Sequence, residues 1–124
     1  MKYLLALCIV VGGIFFFLQH GSTKELVQYA ELEKKLAAQA DFVLLDVRTQ
    51  EEYNEGHIPG AVLLPYDRIA AEAAVVLPDK SKEIIVYCRS GRRSSIAAET
   101  LGKLGYTDVA DFGGISRWQG QVGK

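Results

Sequence analysis

The residues best suited to chemistry form one segment, 88–94, which reads Cys-Arg-Ser-Gly-Arg-Arg-Ser. It follows the apolar run 84–87 and precedes a helical pattern that begins at Ser95. The chain would thus pass from a strand through a loop that opens with cysteine into the start of a helix. The start of a helix carries unpaired N–H groups and partial positive charge, which would lie near the thiol. Three arginines add formal charge, and such surroundings favour the thiolate, which is the nucleophilic form of cysteine. The segment predicts a nucleophilic Cys88 in an anion-binding cradle.

A simpler interpretation is a small buried apolar cysteine beside solvated arginines. It leaves unexplained why three cations stand within the five residues that follow Cys88. We therefore favour the nucleophile.

The composition is that of an ordinary globular domain. The 124 residues carry 14 basic and 15 acidic side chains, which gives a formal net charge of −1. This length suits one domain. With no basic stripe outside the cysteine loop, the chain lacks the electrostatic footprint of a nucleic-acid-binding protein. Its Cys, His and carboxylate residues also lack metal-ligand spacing, so we expect neither a metal nor another cofactor.

Residues 1–20 are predicted to be a signal peptide or a membrane anchor. Residues 3–18 form an uncharged apolar run of 16 residues. That length exceeds the ~7–15 residues of a signal-peptide core and falls short of the ~20 of a spanning helix. Gln19 and His20 suit cleavage poorly, which favours a retained anchor. Because the basic amino terminus stays inside, both alternatives place a domain at residues 24–122 on the periplasmic side of a bacterial inner membrane.

Cys88 is the one thiol of this predicted domain, because the other cysteine, Cys8, lies in the apolar run. The domain therefore forms no internal disulfide. A lone thiol in an oxidising compartment is a liability unless it is used, which supports a chemical role for Cys88.

Strands alternate with helices along the rest of the chain. Apolar runs predict strands at 42–47, 61–64, 84–87 and 109–112, with a short edge strand at 25–29. One helix is expected at 30–39. A second should begin at a capping box formed by Thr49 and Glu52, and a third at an N-cap residue, Asp67. The last should run from Ser95 to Gly105, with Ser94 as its capping residue. This order predicts an α/β domain with a mainly parallel central sheet flanked by helices. Ligands bind such sheets outside the carboxyl ends of strands, and Cys88 occupies such an end.

Three motifs in this order resemble those of rhodanese domains over about residues 24–120. The N-terminal motif is Asp46-Val47-Arg48, then Glu52-Tyr53, then Gly56-His57-Ile58-Pro59-Gly60-Ala61. The active-site loop is Tyr87-Cys88-Arg89-Ser90-Gly91-Arg92-Arg93-Ser94, and the closing motif is Gly113-Gly114-Ile115 followed by Trp118. The resemblance implies a rhodanese-like fold and a single-domain sulfurtransferase of the thiosulfate type.

Residue roles follow from this resemblance. Cys88 would take a sulfane sulfur from a small anionic donor such as thiosulfate, become a persulfide, and pass the sulfur to an external thiol, cyanide or protein dithiol. The residues that would bind the donor and the persulfide are Arg89, Ser90, Gly91, Arg92, Arg93 and Ser94. Arg93 is expected to contact the donor because it stands where the loop meets the helix. For Arg89 and Arg92, donor binding and simple solvent exposure both stay open.

Asp46 and Arg48 are expected to support the site rather than to react. Both follow a buried strand, so we expect Asp46 to bind backbone amides near the loop and Arg48 to pair with Glu52. His57 lies in a turn bounded by glycine and proline, which favours a structural hydrogen bond over a role as general base.

Two other functions stay open at this point. Cysteine phosphatases and arsenate reductases use a similar cradle with an arginine six positions after the cysteine, whereas here position 94 is serine and Arg93 stands one residue short. A rhodanese domain can also serve as a persulfide carrier or docking module without rapid turnover. The intact Cys88 argues against an inactive domain and is compatible with a carrier.

Overall fold

Residues 25–124, which the computed structural model describes, form strands that alternate with helices. The strands are β1 (Val43–Asp46), β2 (Val62–Leu63), β3 (Ile84–Cys88) and β4 (Val109–Gly114). The α-helices are α1 (Tyr29–Ala37), α2 (Gln50–Glu55), α3 (Ile69–Val76) and α4 (Arg92–Lys103), with short 3₁₀ helices at Tyr66–Arg68 and Ile115–Arg117. The predicted anchor or signal segment at 1–20 lies outside the described residues. Between residues 25 and 124, no helix has both the length and the apolar character needed to cross a membrane.

The sheet has the order β2-β1-β3-β4, and each neighbouring pair is parallel. Asp46 of β1 pairs with Tyr87 of β3, and Cys88 pairs with Gly114 of β4. The carboxyl ends of three strands therefore meet at one edge of the sheet. The predicted parallel α/β architecture is confirmed, and Cys88 lies at the edge where such sheets bind ligands.

Both faces of the sheet are covered by apolar side chains, which explains why β1 and β3 read as continuous apolar runs. On one face, Leu45, Ile84, Val86 and Cys88 pack with Ile69 and Ala73 of α3 and with Ala97 and Leu101 of α4. On the other face, Leu44, Ile85 and Tyr87 pack with Leu32 of α1, Ile58 and Phe112. Helix α4, which follows the cysteine loop, is thus held against the sheet by its buried side.

Of two local features predicted from the sequence, the capping box of α2 is present in the structure and the edge strand is not. The capping box of α2 is present, because Thr49 Oγ1 accepts from the Glu52 N–H at 3.1 Å while Glu52 Oε1 accepts from the Thr49 N–H at 3.2 Å. The predicted edge strand at 25–29 is wrong: the Val27 N–H donates one hydrogen bond to the Asp111 carbonyl at 2.9 Å, and helix α1 already begins at Tyr29. A single bond to the sheet is too little to form a strand.

The predicted N-cap at Asp67 is also wrong. Asp67 lies inside the 3₁₀ helix Tyr66–Arg68, and α3 begins at Ile69 without a side-chain cap. Burial of Ile69 and Ala73 against the sheet holds this helix, so packing replaces the cap.

A buried ion pair lies at the end of β1. The Arg48 Nη2 and Nε atoms donate to Asp46 Oδ2 and Oδ1 at 2.7 and 3.0 Å, and Nη2 also donates to the Gly56 carbonyl at 2.7 Å. The Tyr87 hydroxyl donates to Asp46 Oδ2 at 2.8 Å and accepts from the Ile58 N–H at 3.1 Å. Burial, reinforced by the Asp46 carboxylate, raises the pKa of Tyr87, which keeps this hydroxyl a donor. The network ties β1, β3 and the α2–β2 connection together.

Two expectations about this pair are corrected by the network. Arg48 pairs with Asp46 rather than with Glu52. The Asp46 carboxylate accepts from Arg48 and Tyr87 and from the Arg48 N–H at 3.0 Å, rather than from amides of the cysteine loop. Its hydrogen bond to Tyr87 is made to the residue that precedes Cys88.

Replacing Asp46 by Asn should destabilise the fold strongly, because Arg48 keeps its charge in a site where it is only 6% exposed. Breaking a buried pair in this way costs about 3–5 kcal/mol. The matched change Glu99→Gln affects an exposed pair with Lys103 in α4 and should cost less than about 0.5 kcal/mol. Urea unfolding of both variants measures the difference, and equal losses would contradict a structural role for Asp46.

Candidate active site

Cys88 is the last residue of β3, and its side chain is buried at the base of a very short loop. Helix α4 begins at Arg92, so only three residues separate strand and helix. Gly91, at a φ of +102°, makes this sharp reversal possible. Its N–H donates to Cys88 Sγ at 3.0 Å. The first turn of α4 therefore begins beside the sulfur, as the sequence predicts.

Ser94 does not cap the helix as expected. Helix α4 starts three residues earlier than the predicted Ser95, with Gly91 in the N-cap position and without a side-chain cap. The Ser94 side chain is fully buried, and its hydroxyl donates to the Gly91 carbonyl at 3.1 Å. It braces the loop from within the first helical turn.

The loop rests on the end of β4. A Cβ atom placed on Gly114 would lie 2.5 Å from the Arg89 carbonyl oxygen and 3.2 Å from the Ser90 Cα. Such distances leave no room for a side chain at position 114. The backbone of β4 therefore limits how closely the cysteine loop can approach this strand. Sequence reasoning noted Gly113-Gly114 only as a closing motif and missed this contact. Pairing of Cys88 with Gly114 in the sheet creates the contact, and no local pattern shows it.

The three arginines of the loop occupy different environments. Arg93 is 19% exposed and binds Glu52 with two hydrogen bonds, Nη1 to Oε1 at 2.7 Å and Nη2 to Oε2 at 2.9 Å. Arg89 is 74% exposed, with Nη1 3.9 Å from Glu52 Oε2, and Arg92 is exposed. The Arg93 guanidinium lowers the pKa of Glu52 to about 2, so this carboxylate stays charged. Sequence reasoning missed Glu52 as a partner of the loop because α2 and α4 are far apart in the chain.

Hydrogen bonding to Glu52 raises the pKa of Arg93, and the electrostatic effect of Cys88 makes a smaller contribution in the same direction.

His57 has the structural role predicted for it. Its Nδ1 is hydrogen-bonded to the Tyr53 carbonyl at 2.8 Å, and its ring stacks on the Tyr53 ring with centroids 3.7 Å apart. Among residues 25–124, no three His, Cys, Asp or Glu side chains converge as a possible metal-binding group.

An open groove of about 550 Å³ runs beside the loop on the β4 side. Its lining includes Ser90 and Gly91 of the loop, Glu99 of α4, Asp111 of β4 and Arg117. The groove therefore borders the loop at Ser90 and Gly91.

The fold and the cysteine loop agree with a known family, because the rhodanese-like domain family matches residues 28–121. This chain belongs to the rhodanese family. The resemblance derived from the three motifs is confirmed.

Several relatives are similar to this rhodanese domain. It is 39% identical over 71 residues to the thiosulfate sulfurtransferase PspE of Escherichia coli (strain K12), covering 57% of this chain and 68% of that one. It is 38% identical over 88 residues to a sulfurtransferase of Allochromatium vinosum, covering 70% and 80%. A solved structure of a rhodanese with anions from E. coli superposes with a TM-score of 0.62 at 35% identity, over 66% of this chain and 96% of that one. The rhodanese domain is accordingly an enzyme of the sulfurtransferase class.

Replacing Gly114 by Ala should distort the cysteine loop, since the added methyl group forces the Arg89 carbonyl to move by roughly 1 Å. A displacement of that size costs on the order of 100-fold in rate. Gly102→Ala is the control, because the space around Gly102 in α4 is open. Rates of sulfur transfer, with thermal unfolding by circular dichroism, compare the two. A Gly114→Ala variant with the wild-type rate would show that the β4 end does not position the loop.

Proposed function

We propose that this domain transfers a sulfane sulfur from an anionic donor such as thiosulfate to a thiophilic acceptor through a persulfide on Cys88. The single observation that carries the proposal is the Gly91 N–H directed at Cys88 Sγ at 3.0 Å, at the start of a helix whose first turn carries arginines. Backbone N–H groups and helix starts of this kind stabilise negative charge. The relatives named as thiosulfate sulfurtransferases support thiosulfate as the donor class.

The first half of the proposed reaction is a displacement at sulfur. The Cys88 thiolate attacks the outer sulfur of thiosulfate, a new S–S bond forms, and the S–S bond of thiosulfate breaks. The electron pair of that bond leaves with sulfite. The thiolate monoanion and the thiosulfate dianion thus give a persulfide monoanion and a sulfite dianion, and the charge balances. No external oxidant or reductant is needed. Amides of residues 89–94 are proposed to stabilise the terminal sulfur, and loop arginines attract the donor.

The second half requires an acceptor from outside. The domain at 24–122 contains no second cysteine, so it has no thiol of its own to take the sulfur. A thiolate acceptor attacks the outer sulfur of the persulfide, carries it away, and regenerates the Cys88 thiolate. We propose that such an acceptor approaches the loop from the open groove that Ser90 and Gly91 border.

Cys88→Ser should abolish sulfur transfer while preserving the fold, because a hydroxyl forms no persulfide. Mass spectrometry of the wild-type protein after thiosulfate should show a gain of one sulfur atom on Cys88, which cyanide or a small thiol removes. Cys8→Ser is the control and should keep the wild-type rate. A Cys88→Ser variant that still transfers sulfur would refute the proposal. A persulfide that forms but is not turned over by any acceptor would identify a carrier instead.

We also propose that the apolar segment at 1–20 carries the domain to the periplasmic side of a bacterial inner membrane. Cell fractionation should find the protein in the membrane if the anchor is retained, or in the periplasm if it is cleaved. In spheroplasts the domain should be degraded by added protease. Recovery from the cytosol with an intact amino terminus would contradict both alternatives.

A further inference from the structure

Glu52 stands at the junction between the two helices that border the cysteine loop. Its carboxylate caps α2 through Thr49 and at the same time holds both Nη atoms of Arg93 in the first turn of α4. The carboxylate is only 16% exposed. A bidentate pair of this kind fixes the plane and direction of a guanidinium, so Arg93 is not free to turn toward a donor while the pair is intact.

The pair also lowers the net positive charge of the side chains that border the cysteine loop. Arg89, Arg92, Arg93 and Glu52 together carry three positive charges and one negative charge, which leaves a net charge of two positive. Glu52 cancels the charge of the arginine it binds. Arg92 is exposed, and Arg89 is 74% exposed although its Nη1 lies 3.9 Å from Glu52 Oε2, so an incoming anion meets these two arginines first.

We propose that Glu52 is a positioning residue of the sulfur-transfer site: it clamps Arg93 so that the cradle keeps its shape, and it leaves the anionic donor to Arg89 and Arg92. This inference rests on the proposed function for its kinetic part. Its electrostatic part is independent of sulfur transfer, because any anion that approaches Cys88 meets the same charges.

The substitution Glu52→Gln distinguishes the effect of the carboxylate charge from the effect of the capping hydrogen bonds. A capping box accepts Gln as well as Glu, so Glu52→Gln keeps the start of α2 while losing the charge and one of the two bonds to Arg93. Glu51→Gln is the matched control, because Glu51 is the neighbouring carboxylate in the same first turn and is exposed.

The first experiment compares alkylation of Cys88 by the anion iodoacetate and by neutral iodoacetamide. The ratio of the two rates cancels changes in thiolate fraction and reports the charge near the sulfur. Glu52→Gln should raise the ratio about twofold to fivefold at low salt, and Arg93→Gln should lower it by a similar factor. The double variant restores the net charge and should return the ratio to the wild-type value. Glu51→Gln should change the ratio much less than Glu52→Gln.

The second experiment measures steady-state sulfur transfer from thiosulfate. Glu52→Gln should lower KM because attraction for the dianion increases, and lower kcat roughly tenfold because Arg93 and the loop are no longer held in place. The double variant should recover the wild-type KM but not the kcat. Arg89→Gln and Arg92→Gln should each raise KM with little change in kcat.

Two outcomes would overturn the inference. Equal alkylation ratios in Glu52→Gln and Glu51→Gln would show that Glu52 does not set the charge at the sulfur, and an unchanged kcat in Glu52→Gln would show that the clamp does not position the cradle. A wild-type protein that gains no sulfur from thiosulfate would refute the proposed function instead, and the alkylation ratios would still test the charge balance.

Discussion

The Asp46–Arg48 ion pair lies where three parts of the chain meet beneath the candidate active site. Arg48 reaches the Gly56 carbonyl, and Asp46 holds the Tyr87 hydroxyl, which also binds the Ile58 N–H. Two buried charges are costly unless they are paired and their remaining hydrogen-bonding capacity is filled, and this network fills it. Because Tyr87 immediately precedes Cys88, the pair holds the end of β3 from the sheet face opposite the Cys88 side chain.

The ion pairs in this part of the structure differ in how deeply they are buried. The innermost pair, Asp46–Arg48, is buried and structural. The next pair, Glu52–Arg93, is partly exposed and joins α2 to α4. Arg89 is the most exposed of the ion-paired side chains in this region. Ion pairs weaken as water and salt reach them, so the depth of each arginine decides whether its charge holds the fold or remains available to an anion.

The cradle itself depends on backbone more than on side chains. Gly91 supplies a left-handed turn, and Gly114 supplies a surface without a Cβ on which the loop lies. The hydrogen bond to Cys88 Sγ comes from a main-chain N–H. Backbone amides and helix starts arranged in this way favour a small anion, so the proposed donor site would be built from main-chain groups.

The sequence alone determined the parallel α/β order, the α2 capping box and the family, because contiguous residues carry each of them: apolar runs, turn glycines and short motifs. It also predicts Cys88 as the nucleophile, from the loop that this residue opens. Local reasoning failed on the partners of charged side chains and on contacts between distant segments. It assigned Glu52 to Arg48, which lies four residues away, whereas the folded chain brings Arg93 from 41 residues away and gives Arg48 to Asp46. It treated Gly114 as part of a motif, whereas sheet pairing presses that glycine against the Arg89 carbonyl. Tertiary structure alone decided which carboxylate neutralises which arginine, since ion pairing depends on distance in space and on burial, and neither is encoded in spacing along the chain.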